Sequence, residues 1–510
     1  MLAVSVAAAP PRPRARPRAV ADGAGGRPPP PPDAPLPPAV PRRAALTAAV
    51  AYAAVARGSA ALPASASVAS PASGVVLSRA AALATNGASP SAVAFEDARV
   101  TVAGTGQVVP VAVWYPVVAV ADPLVEKNPS PRPTPAAAAT YPHAISVAKI
   151  ARVLLNAPAS TPRVLDRDVP LAMAPGVAPR SSATPPSDAV RGAVVLCHGY
   201  LGSRFDLVDL AEALAASGFL VAAPEFAESL ASPETVSAQT KPGAKPAANP
   251  SASRDQVLAA VLEDVERRAR LYVEASYSGK STTQKNDAVP GTLPVALVGQ
   301  SAGASTATSA RGRFAARVAI AGFRPPPSEA RAATEARSSP ATDPLLVVAS
   351  AGDGVISLYP TERGAFGPYR GIEAEVAAFE EAEGVTFARL DAEGLLESVA
   401  RGRAGGGEDE VPRAAFVTYE DAGFRDSGAR DSANSGAAAA LARPLPCHIS
   451  FLSSRTNDAM VEVLSPLLPA ARALGVPVLD FDRYQVARDS DDVNETLVPA
   501  VVAWLAAVVR

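Results

Sequence analysis

Ser301 stands between two glycines in the run Val298-Gly299-Gln300-Ser301-Ala302-Gly303, directly behind the apolar stretch Leu293 to Val298. This is the G-x-S-x-G nucleophile pattern, in which a strand turns abruptly into a helix and lifts the serine hydroxyl clear of the sheet. A hydroxyl attacks a carbonyl only when a base takes its proton and a third group orients that base. The chain has three histidines, and only His448, in Pro446-Cys447-His448-Ile449-Ser450, follows both the serine and a candidate acid. That acid is Asp353, in the turn Ser350-Ala351-Gly352-Asp353-Gly354, with Asp343 as its nearest rival. Asp353 would hold the imidazole in the working tautomer and stabilise the imidazolium formed as Ser301 attacks. The alternative reading of Asp353 is an aspartate that merely serves a glycine turn.

The negative charge that develops on the attacked oxygen needs preorganised donors. Two backbone N–H groups are the candidates. One is Ala302, after the nucleophile, and the other is Tyr200, in the turn Cys197-His198-Gly199-Tyr200-Leu201-Gly202. His198 and Gly199 are read as shaping that turn; His198 as the base is the less favoured alternative, because it precedes the acid.

These residues have to be held by elements of matching period. Ala193 to Leu196 and Phe219 to Ala223 are short apolar runs that read as buried strands, with Leu207, Leu210 and Leu214 marking one face of a helix over 207–216 between them. Strand, glycine turn, helix, strand is a parallel crossover unit. Leu345 to Ala349 and Ala415 to Tyr419 read as further strands, and the candidate acid sits in the turn after the first of them. Val257 to Val273 predicts a charged amphipathic helix feeding the nucleophile strand, and Val493 to Val509 a closing C-terminal helix. Ile372 to Glu383 and Ala392 to Ala400 read as helices that cap the site. Ile145 to Leu155 reads as a helix packed on the sheet, or alternatively as a lipid-facing lid.

The segment Val194-Val195-Leu196-Cys197-His198-Gly199-Tyr200-Leu201-Gly202-Ser203-Arg204-Phe205, continued by Ala215 to Pro224, resembles the α/β-hydrolase branch holding plasma-type platelet-activating-factor acetylhydrolases and chlorophyllases. Val108 to Pro116, ending in Trp114-Tyr115-Pro116, is similar to the corresponding strand of acetylhydrolase and dienelactone-hydrolase-like members. The resemblance runs from about residue 95 to the C-terminus. It implies an α/β-hydrolase fold, a mostly parallel central sheet with helices on both faces and loop or helical insertions forming a cap. It also implies a serine esterase or lipase, acetylhydrolase-like, acting on a lipid-like carboxylic ester. Two positions depart from the pattern: Gln300 stands where those families carry histidine, and Ala302 where chlorophyllases carry arginine. Cleavage of the chlorophyll phytyl ester, or a hydrolase-fold binding protein without turnover, are the alternatives.

With 510 residues and 48% hydrophobic content the chain can bury a full-size core, and the spread of the candidate triad argues for one catalytic domain, 94–510. Low-complexity insertions are expected near 231–253, 276–290, 325–344, 402–411 and 425–440. A net charge of −2 suggests no nucleic-acid partner. No His/Cys/Asp cluster has metal-ligand spacing and no glycine-rich loop suits a cofactor phosphate, so none is expected. The substrate is read as a small-molecule or lipid ester, with peripheral contact to membrane lipid; oligomeric state stays open. No apolar run outside the first residues is long enough to span a bilayer.

Residues 1–93 read as a targeting region. Arg12, Arg14, Arg16, Arg18 and Arg27 lie among alanine and proline with few acids, as in a chloroplast transit segment. Arg42-Arg43, the apolar stretch Ala44 to Ala56 and the small residues of Ala61 to Ser70 follow in the order of a twin-arginine signal to the thylakoid lumen. A single plastid transit peptide and a secretory signal are the alternatives. Asn494-Glu495-Thr496 is a glycosylation sequon only on the secretory route. The two cysteines, Cys197 and Cys447, each precede a histidine, and a redox-sensitive bridge between them is a further expectation.

Overall fold

The computed structural model describes residues 79–80, 91–117, 139–150, 166–180, 190–231, 252–278, 293–325, 343–364, 367–405, 411–420, 444–465, 468–469, 480–481, 483–484 and 486–509. In chain order its main elements are β1 (Ala92–Thr101), β2 (Val108–Val117), β3 (Val177–Pro179), β4 (Gly192–Cys197), α1 (Val208–Ala216), β5 (Phe219–Pro224) and α2 (Arg254–Ser278). The second half carries β6 (Val295–Gln300), α3 (Ala302–Ser309), β7 (Ala316–Ile320), β8 (Leu345–Ser350), α4 (Ile372–Glu383), β9 (Ala388–Leu390), α5 (Ala392–Gly405) and β10 (Ala414–Tyr419). A 3₁₀ turn (His448–Phe451), α6 (Ser454–Leu464) and α7 (Ser490–Val508) complete it.

The strands form one sheet in the order β9-β10-β8-β7-β6-β4-β5-β2-β1-β3. All neighbours run parallel except at β2, which is antiparallel to both β1 and β5. Leaving aside the short β3 and β9, each later strand is added beside its predecessor except for the exchange of β4 and β5. That is the α/β-hydrolase fold.

The central strands are near-continuous apolar runs because both of their faces are covered. Val194 and Leu196 of β4, with Ala296 and Val298 of β6, join the core under α1, α5 and α7. Ala193, Val195 and Cys197 of β4 point to the opposite face, packed by α2. Further along that second face, Leu345 and Val347 of β8 pack against Ile372, Val376 and Phe379 of α4. Parallel strands buried in this way place all their C-terminal ends along one edge, and the loops that leave that edge carry the candidate residues.

Several expectations change. The folded part begins before residue 94: β1 starts at Ala92, the Ser91 N–H donates to the Ala216 carbonyl at 3.1 Å, and Ala80 is fully buried in the core. The rest of the targeting region, 1–78 and 81–90, lies outside the described residues. The helix over 207–216 is buried on every side, since its charged residues Asp209 and Glu212 are covered by Arg455 of α6. Glu212 also accepts the Tyr141 hydroxyl at 2.7 Å, which in turn accepts the indole N–H of Trp114 at 2.9 Å. Buried charge is tolerated only with such partners.

α2 runs from 254 to 278 and α5 to Gly405, so the insertions expected at 276 and 402 start later. Of the expected insertions, 232–251, 279–292, 326–342, 406–410 and 425–440 lie outside the described residues. α4 and α5 are layer helices on opposite faces of the sheet rather than a cap, because their apolar residues belong to the two cores. Ile145 is likewise fully buried in the core, but in a short strand, Ala144–Ile145, paired with 167–168 rather than in the expected helix, which begins at Val147; 151–155 lies outside the described residues. Asn494 is buried with its side-chain amide donating to the Leu452 carbonyl at 3.0 Å, so the sequon is not open to a sugar. Cys197 and Cys447 are both buried free thiols, and they belong to the cores on opposite sides of the sheet, which removes the expected bridge. Among the described residues no helix is long and apolar enough to cross a membrane.

Candidate active site

Ser301 occupies the sharp turn between β6 and α3 with φ 56° and ψ −120°. A non-glycine residue rarely adopts a positive φ, and the strain is imposed by the packing around it. A side chain on Gly299 would collide with the Gly303 carbonyl, and one on Gly303 with the Cys197 carbonyl of β4. The two glycines are therefore required by the close approach of α3 to the strands. The Ser301 N–H donates to the Ile320 carbonyl at 2.8 Å, which pins the elbow to β7.

His448 reaches Ser301 from the turn beyond β10. Its Nε2 lies 2.9 Å from the Ser301 Oγ and its Nδ1 lies 2.8 Å from Asp353 Oδ2. The other Asp353 oxygen accepts the N–H groups of Val355 and Ile356, each at 2.8 Å, so the carboxylate cannot rotate away. With Nδ1–H given to Asp353, Nε2 keeps the lone pair that a serine proton needs. Burial pushes the imidazole down, but the Asp353 carboxylate, its hydrogen bond and the nearby Asp480 outweigh this and leave His448 above the usual histidine value.

Three further residues build the frame: Gln300 from the nucleophile motif, Ser350 from the acid turn, and Asp480, for which the sequence offered no motif. Asp480 Oδ2 accepts the Gly354 N–H at 2.7 Å and the His448 N–H at 3.1 Å, which links the acid turn to the histidine turn. It too has a positive φ, 66°. Ser350 donates its hydroxyl to the Pro446 carbonyl at 2.7 Å, a second link between the same turns. Gln300, where the resembled families carry histidine, directs its side-chain amide to the His448 carbonyl at 3.4 Å.

Tyr200 lies in a turn closed by the Gly202 N–H on the Gly199 carbonyl at 3.3 Å, with Leu201 at φ 60°. A Cβ on Gly199 would meet the Ser301 Cβ at 3.1 Å, so this turn abuts the elbow. Ala302 opens α3, whose first N–H groups have no acceptor inside the helix. The His198 ring takes no part in the relay, although its backbone abuts the elbow. It accepts the Phe226 N–H on Nε2 at 2.9 Å and directs Nδ1 to the Gly199 carbonyl at 2.7 Å, buried throughout. Burial, then the Arg254 charge, holds it neutral, well below the usual histidine value. Asp343 is held elsewhere, accepting from Arg317 Nε at 2.9 Å and from the Phe314 N–H at 3.2 Å.

Ser301, His448 and Asp353 thus meet in one hydrogen-bonded line, with Gly199, Gly299, Gln300 and Gly303 packed around it, whereas His198 and Asp343 serve other contacts. No family model and no curated protein matches the sequence. Among solved structures, a ferulic acid esterase from Streptomyces cinnamoneus is similar at 17% identity, over 51% of this chain and 65% of its own, with a TM-score of 0.22. TT1662 from Thermus thermophilus is similar at 16% identity, over 46% of this chain and 82% of its own, also with a TM-score of 0.22. The strand order and the crossover at β4 and β5 make this an α/β-hydrolase fold.

Proposed function

We propose that the chain is a serine esterase that cleaves a carboxylic ester through an acyl-enzyme. The observation that carries the reading is the line from Ser301 Oγ through His448 to Asp353, with both separations under 3 Å. His448 Nε2 takes the hydroxyl proton as Ser301 Oγ bonds to the ester carbon, and the carbonyl oxygen gains negative charge. The N–H groups of Tyr200 and Ala302 receive that oxyanion. Collapse breaks the bond to the alkoxy group, which leaves with the proton from His448. Water then adds to the acyl carbon with His448 again as base, and release of the acid restores Ser301.

A lipid-like ester is the proposed substrate class, supported by the resemblance of 194–224 to the acetylhydrolase branch and by the exposed Tyr200 ring beside the nucleophile turn. The proposed address is the plastid, carried by the arginine-rich first residues. Treatment with a fluorophosphonate should phosphonylate Ser301, and Ser301→Ala should abolish both labelling and hydrolysis, on the order of 10⁴-fold or more in rate. Hydrolysis surviving above about a tenth of the starting rate would remove the assignment. A panel of p-nitrophenyl esters, phospholipids, galactolipids and chlorophyll then separates the acetylhydrolase-like reading from the chlorophyllase one.

A further inference from the structure

Arg254 is the first residue of α2, a place where positive charge opposes the helix dipole and is locally unfavourable. Its guanidinium is instead spent on the turn that precedes Tyr200. One nitrogen donates to the His198 carbonyl at 2.9 Å and to Thr306 Oγ1 at 3.3 Å, and the other donates to the Gly199 carbonyl at 3.2 Å. Thr306 passes its own proton to the Ala302 carbonyl at 3.0 Å, in the first turn of the elbow helix. The group is held from behind by an ion pair with Glu228 and by the Phe226 ring, whose centroid lies 4.2 Å from the guanidinium carbon.

The Gly199 carbonyl belongs to the same peptide group as the Tyr200 N–H. Among the described residues no peptide bond is cis, so that C=O and N–H point in opposite directions. Three donors hold the oxygen in place: Arg254, the Gly202 N–H, and His198 Nδ1. His198 Nε2 already accepts from Phe226, which puts the ring proton on Nδ1 and makes it a donor to Gly199. Whatever fixes the carbonyl direction therefore also aims the Tyr200 amide.

We propose that Arg254 is a positioning residue of the oxyanion hole, gripping the carbonyls of His198 and Gly199 so that the Tyr200 N–H faces the reacting oxygen at Ser301. The role rests on the serine-esterase reading above. Arg254 touches no substrate atom; it acts through the peptide it orients, and by withdrawing electron density from that carbonyl it makes the N–H a stronger donor. His198 supplies the second grip, as a neutral donor sealed from water.

The test uses the full chain and three proteins: wild type, Arg254→Met, which keeps an apolar stem over Phe226, and Arg254→Lys, which keeps the charge without the two-pronged reach. Arg254→Met should lose roughly 10²-fold in kcat on a p-nitrophenyl ester with KM within about threefold, the size of one lost oxyanion donor. Affinity for an aryl boronic acid, which forms a tetrahedral anion on the serine, should fall in parallel, while the acid limb of the pH profile, set by His448, stays in place. Added guanidinium ion should restore part of the rate to the Met variant, and the Lys variant should fall between. If a thermal melt shows that Arg254→Met has lost its fold, the Lys variant carries the comparison by the same split between kcat and KM. Equal loss in kcat and boronate affinity supports the role. A kcat change under about threefold in both variants, or a loss confined to KM, overturns it while wild-type fluorophosphonate labelling leaves the esterase reading standing. A wild type that neither labels nor turns over overturns both.

Discussion

Asp353→Asn should disable the proposed esterase through proton placement alone. The two carboxylate oxygens have different partners: Oδ1 accepts two backbone N–H groups at 2.8 Å, and Oδ2 faces His448 Nδ1 at 2.8 Å. In Asp353→Asn only the amide oxygen can accept from Val355 and Ile356, so the amide NH₂ must turn toward His448. A donor there forces the imidazole proton onto Nε2, 2.9 Å from Ser301 Oγ, where a lone pair is needed. The expected loss in kcat is on the order of 10⁴, or about 5.5 kcal/mol of transition-state stabilisation at roughly 1.4 kcal/mol per tenfold. The fold should persist, since size and both turn hydrogen bonds are kept. Asp343→Asn is the matched control: it weakens the Arg317 ion pair, costs about 1–2 kcal/mol of stability, and leaves kcat/KM within about twofold. Kinetics on a p-nitrophenyl ester beside urea unfolding of each variant decides the matter. An Asp353→Asn protein with more than a tenth of wild-type turnover, or equal kinetic damage from Asp343→Asn, would refute the proton-placement argument.

The proposed mechanism needs neutral His448, whose pKa lies above the usual histidine value, so kcat/KM should fall as pH drops through that raised value. Asp480→Asn keeps an acceptor for Gly354 and His448 but removes a charge that raises the imidazole, so the acid limb should move to lower pH; an unmoved limb would show that Asp480 has no electrostatic part. Arg455→Met strips the counter-ion from buried Asp209 and Glu212 and should lower stability by about 3–5 kcal/mol in urea unfolding, and a loss under about 1 kcal/mol would show that the acids find other partners. A fluorescent reporter fused behind the first ~95 residues should enter plastids. Replacing Arg42 and Arg43 by lysine should then hold it in the stroma, whereas delivery to the lumen despite that change would remove the twin-arginine proposal.

The features of this protein legible in its residues are those whose causes are local. Val- and Leu-rich runs such as Ala193 to Leu196 and Leu345 to Ala349, short and bounded by turn residues, read as strands covered on both faces, and glycines at 299 and 303 announce a turn where backbones nearly touch. Chain order then put forward Ser301 and His448, with Asp353 ahead of its rival Asp343 as the acid, and the structure brings Ser301, Asp353 and His448 together. Contacts between segments far apart in sequence became visible in the folded chain alone. Asp480 lies 32 residues from the histidine whose N–H it accepts, and Arg254 lies 55 from the carbonyl it grips. Neither carries a local signal, because an aspartate or arginine in a polar stretch looks the same whether it faces water or a buried backbone. The same ambiguity hid the burial of Asp209 and Glu212: on their own helix they mark a solvated face, and only Arg455, from another helix, makes that face interior. Thiol pairing was decided the same way, since the alternation of side chains across β4 sends Cys197 to the face of the sheet away from Cys447.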